Sequence, residues 1–65
     1  MNTYRVTYNG YGTNNVIYRE QELELSLRHD WSRNDEEAAN VMLLIHKKLK
    51  ENFSRVEILS VEKIK

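Results

Sequence analysis

No cysteine occurs among the 65 residues, so neither a disulfide framework nor a thiolate-bound zinc can hold the fold together. Net charge is missing too: ten Lys and Arg balance ten Asp and Glu, which disfavours a polybasic nucleic-acid arm. No apolar run approaches the roughly 20 residues that span a bilayer, and the N-terminus lacks the basic-then-apolar plan of a secretory signal. These absences disfavour a secreted mini-protein and a membrane protein. The chain is 40% apolar and 31% charged, an ordinary globular composition rather than a disordered one. The expectation is one small domain over residues 1–65, cytoplasmic and without cofactor. A core of this size yields only about 3–5 kcal/mol net, so close packing or self-association must supply any further stability.

The first stretch, from Thr3 to about Arg28, reads as two strands. Tyr4, Val6 and Tyr8 alternate with Thr3, Arg5 and Thr7, a period of two rich in β-formers. The segment from Asn9 to Asn15 holds both glycines and several asparagines, residues that tolerate positive φ, and reads as a hairpin tip. Beyond it the apolar phase slips: Val16 and Tyr18 fall at even positions, Leu23, Leu25 and Leu27 at odd ones. A one-residue slip inverts every side chain, so either a bulge lies near Arg19–Glu22 or the two sets face opposite sides; the bulge is the expectation.

The second stretch is helical. Asn34 with Glu37 has the spacing of a capping box, and Ser32 with Asp35 is a competing frame. From Asp35 to about Glu51 there is neither glycine nor proline. At about 100° per residue, Ala38, Val41, Met42, Ile45 and Leu49 form one buried stripe. Acidic Asp35, Glu36 and Glu37 at one end and Lys47, Lys48 and Lys50 at the other complement the helix dipole. Asn52 is suited to a left-handed terminating turn, and Phe53 to closing the end of the core. The last stretch, Arg55 to Lys65, is a strand whose apolar phase slips between Ile58 and Leu59, so a bulge is expected around Leu59-Ser60. The predicted fold is α+β: ββαβ, a three-stranded antiparallel sheet in the order 2-1-3, with the helix on one face and the other face free.

The strings YRVTY (4–8), SRNDEEAANVMLLIHKKL (32–49) and RVEILSVEKI (55–64) resemble short phage and prophage accessory proteins. An aromatic-basic-valine opening strand, a helix begun by an acidic DEEA and a VEILSVEKI closing strand recur in that group. The layout also looks like that of a small archaeal large-subunit ribosomal protein. This chain is neutral where an rRNA binder is basic, so RNA contacts are not carried over. The phage-like resemblance implies a protein that modulates a host protein inside the cell.

Catalytic spacing is not evident. His29-Asp30 could form an orienting pair, but His46 lies far along the chain, and no nucleophile elbow, metalloprotease helix or phosphate loop is present. Gly10-Tyr11-Gly12 lacks the third glycine and following helix of a dinucleotide site. An enzyme is not expected. Nor is a metal site: the two histidines match no ligand spacing, and the row Glu20, Glu22, Glu24 is more simply a solvated face paired with Arg5 or Lys63.

Two binding readings remain. Leu43 projects opposite the core stripe among Glu36, Asn40 and Lys47, with Leu44 to its side. Together with the amphipathic anchors Trp31 and Tyr11 they suggest a protein-binding surface, with a homodimer as one outcome. Leu44 and Trp31 could equally complete the core. The alternative is nucleic-acid binding, with Tyr4 and Tyr8 stacking bases and Lys47, Lys48, Lys50 and Arg55 neutralising phosphates. The glutamate row weighs against it.

Overall fold

The computed structural model describes residues 1–65. Three strands, β1 (Asn2–Tyr11), β2 (Ile17–Leu27) and β3 (Arg55–Lys63), and one helix, α1 (Asp35–Leu49), follow in the order ββαβ. β1 is central and pairs antiparallel with both neighbours, giving the sheet order β2-β1-β3. The expected architecture is the observed one.

β1 keeps a strict alternation, with Tyr4, Val6, Tyr8 and Gly10 buried and the intervening residues partly exposed. Its neighbours each spend one extra residue to match it. On β2 the register runs evenly from Asn2↔Leu27 to Tyr8↔Gln21 and resumes at Gly10↔Tyr18, so Arg19 and Glu20 together oppose Asn9. On β3, Thr7 faces Ser60 while Tyr8 faces Ile58, leaving Leu59 as the inserted residue. Both phase slips in the sequence are therefore bulges. They put Tyr18, Leu23, Leu25 and Leu27 on one flank, and Val56, Ile58 and Val61 on the other, all on the same face as Tyr4. Glu20 takes the left-handed backbone (φ 52°), and its N–H donates to Asn9 Oδ1 at 2.8 Å.

That face is covered by α1. Val41, Ile45 and Leu49, spaced four apart, bury against Tyr4, Val6 and Tyr8, with Met42, Trp31 and Phe53 packed around them. Asn34 caps the helix: its Oδ1 accepts from the Glu37 N–H at 2.8 Å, so the Asn34 frame prevails over the Ser32 one. The chain leaves β2 opposite Asn2 and enters β3 opposite Tyr11, so the helix must return along the length of the sheet.

Two local expectations are corrected. Asn52 is not left-handed; the helix winds down through short bonds, Glu51 N–H to Lys48 O at 3.3 Å and Asn52 N–H to Leu49 O at 3.1 Å. The glycines do not make the hairpin turn either. Asn14 (φ 58°) and Asn15 (φ 63°) do, closing a two-residue loop in which the Val16 N–H donates to Thr13 O at 3.2 Å. Gly10 instead makes room: a Cβ there would lie 2.6 Å from the Phe53 ring. Phe53 settles on that gap, edge-on to Tyr8 (5.8 Å) and tilted against Tyr18 (5.5 Å), and so closes the core. The molecule is elongated, 39 × 19 × 16 Å, because β2 at about 3.3 Å per residue outruns a helix rising about 1.5 Å per residue.

Candidate functional site

The uncovered face of the sheet carries Thr3, Arg5, Thr7, Asn9 and Tyr11 down its centre. Three of these side chains, Thr3, Arg5 and Asn9, make polar contacts with a neighbouring strand. Thr3 Oγ1 meets Ser26 Oγ at 3.0 Å, Arg5 lies 3.5 Å from Glu24 and 3.8 Å from Glu22, and Asn9 Nδ2 donates to Glu57 Oε1 at 3.0 Å. The Arg55 guanidinium sits 4.3 Å over the Tyr11 ring. Arg5 and Arg55 face Glu22, Glu24, Glu57 and Glu62, so this surface has a surplus of negative charge. Arg5 engages the glutamates as expected, but Glu20 drops out of their row into the bulge, and Lys63 pairs elsewhere.

The tyrosines expected as a stacking platform are not on that face. Tyr4 is 0% and Tyr8 8% exposed, both under the helix, because their alternation follows Val6 into the core. Of the residues proposed for nucleic acid, Lys47, Lys48 and Lys50 are exposed on the last turn of the helix and just beyond it, and Arg55 lies on the open face. They share no surface with a stacking ring other than Tyr11.

The proposed protein-binding residues also divide. Trp31 is half-buried and packs edge-on against Tyr4, with ring centroids 5.7 Å apart. Tyr11 lies on the opposite face, seven residues along β1 from Tyr4, about 23 Å away at 3.3 Å per residue. Those two cannot form one patch with each other. Leu43 and Leu44 do adjoin: Leu43 is 69% exposed, and Leu44 is half-buried at the margin of the helix.

Leu44 lines a feature the sequence reading missed, a groove of about 380 Å³ between α1 and β2. Its floor is Leu25 and Leu27, and Lys47, Lys48 and Glu51 stand on the helical side. The signal was there in the odd-numbered leucines of β2, which only half-bury because β2 is an edge strand.

The histidines are far apart. His29 Nδ1 lies 2.6 Å from Glu37 Oε2 at the start of the helix, not against Asp30, whereas His46 is exposed in its last turn. His46 lies nine residues further along the helix than Glu37, a rise of about 13 Å. The hydrogen bond from His29 lowers the Glu37 pKa. Asp30 accepts from Ser32 and pairs with Lys63 Nζ at 3.1 Å, and these bonds lower its pKa to about 2. Beneath them the buried Tyr4 hydroxyl donates to His29 O at 2.7 Å and accepts from the Trp31 N–H at 3.1 Å. This network anchors the β2–α1 connection. No helix is long and apolar enough to cross a membrane.

No protein-family model, curated protein or solved structure matches the chain.

Proposed function

We propose that the chain is a small cytoplasmic protein-binding or regulatory module that works by contact rather than catalysis and pairs with a second copy of itself through the outer face of α1. The observation that carries this reading is the exposure of Leu43, 69%, at the centre of that face. Charge supports it. Two helices crossing antiparallel with Leu43 against Leu43 would set Glu36 of each near Lys50 of the other, and small Ala39 leaves room for the approach. The stability a small core needs is a further reason for association. The likeness of its strand and helix strings to phage and prophage accessory proteins supports a regulatory role on a host protein, and the lack of cysteine suits a reducing compartment.

Sedimentation equilibrium at low and high concentration tests the pairing. The mass is expected to rise from 7.8 kDa toward the dimer value, and Leu43→Lys to hold it at the monomer. A wild-type mass constant across the range would refute the pairing. Salt-sensitive retention on heparin, unchanged by Leu43→Lys, would favour the nucleic-acid alternative through Lys47, Lys48 and Lys50.

A further inference from the structure

The sheet has two free edges, and they are not equivalent. The outer edge of β3 is broken near its middle by the Leu59 bulge, a device that discourages a further strand. The outer edge of β2 is regular for seven consecutive residues, Gln21 to Leu27, before its bulge at Arg19 and Glu20. Strand backbone at such an edge offers unpaired N–H and C=O groups at alternate residues.

Above this regular stretch lies the groove floored by Leu25 and Leu27 and walled by Leu44. The two sides of the edge differ in character. Toward the helix Leu25, Leu27 and Leu44 make an apolar strip, rimmed by Lys47, Lys48 and Glu51. Toward the open face the edge is acidic, with Glu22 64% and Glu24 56% exposed and the pair sharing the single Arg5. A strand laid along β2 would present successive side chains to these two surfaces in turn.

We propose that the Gln21–Leu27 edge of β2 is a strand-addition site for an extended segment of a partner protein in which apolar residues alternate with lysine or arginine. The apolar side chains enter the groove over Leu25 and Leu27 against Leu44, and the basic ones lie across from Glu22 and Glu24. A second copy of this chain is the wrong occupant, because β2 against β2 sets the glutamate row against its duplicate. The site therefore differs from the Leu43 face, though it rests on the same reading of the chain as a protein-binding module.

Three seven-residue probes test it by nuclear magnetic resonance of the labelled full chain: alternating lysine and valine, alternating glutamate and valine, and lysines and valines in two blocks. The lysine–valine alternation is expected to shift and protect the amides of Gln21–Leu27, and to bind about tenfold more tightly than the other two, the size of two or three favourable cross-strand pairs. The surface double variant Glu22→Lys/Glu24→Lys is expected to reverse the preference in favour of the glutamate peptide. Equal affinity for all three probes, shifts outside β2 and its groove, or a preference unchanged by the double variant would each overturn the proposal. In Leu43→Lys the peptide should bind as in the wild type. Loss of strand addition with dimerisation intact would refute this site alone, and the converse would refute only the pairing through α1.

Discussion

The two faces of the sheet are built on the same three strands and hold together by opposite means. On the covered face, Tyr4, Val6 and Tyr8 meet Val41, Ile45 and Leu49, and the sole charged strand residue beside them, Lys63, is answered by Asp30. On the open face nearly every contact is a polar pair across strands, between groups that keep much of their hydration. Burial removes apolar area from water at about 25 cal/mol per Å², whereas an exposed ion pair contributes about 0–1 kcal/mol. The lesson is a division of labour: the helix-covered face carries the stability, and the other is free to carry charge.

The sharpest way to break that comparison is Ile45→Ala. It is fully buried, and the lost transfer energy plus the cavity should cost about 2–4 kcal/mol, most of what a domain this small has. Urea denaturation followed by circular dichroism should find the midpoint moved close to zero denaturant. Tyr4→Phe is gentler. It keeps the ring but strips the hydroxyl from His29 O and the Trp31 N–H, an expected loss of about 1–2 kcal/mol with an unchanged fold.

Acid acts on the rim of the covered face. The Asp30 pKa falls from 3.8 to about 2 on folding, so its contribution is complete above 3.8 and is lost as pH drops toward 2, where the folded carboxylate also takes up its proton. Glu37 acts in the same direction, its pKa lowered by His29. Asp30→Asn should flatten the acid limb of a stability–pH curve. The smallest effect is expected on the open face: Arg5→Ala should change stability by less than about 0.5 kcal/mol, and raising the salt should make the difference smaller still. A loss comparable to that of Ile45→Ala would end the division of labour argued above.

Much of the local structure was legible because it depends on neighbours in the chain. A slip of phase between Tyr18 and Leu23, or between Ile58 and Leu59, calls for a bulge if both apolar sets are to share a face, and both bulges sit where the slip occurs. Leu43 as the outward leucine follows from helical spacing alone, whereas spacing left two capping frames open and the folded chain chose Asn34. The candidate sites were less legible. Tyr4 and Tyr8 share a face, but alternation does not say which face the helix will choose. Adjacency suggested Asp30 as the partner of His29, and the turn between strand and helix brought Glu37 there instead.

The sequence by itself determined the element order, the sheet order, both bulges and the outward face of the helix, since periodicities of two and 3.6 residues fix which side chains can point together. Tertiary structure alone decided the rest. Phe53 turned Gly10 from a presumed turn residue into the floor of a ring-sized gap. Asp30 took Lys63 from the far strand, and the helix, lying beside an edge strand, left a groove over Leu25 and Leu27. Each joins residues distant in the chain, and such meetings are set by how the layers stack.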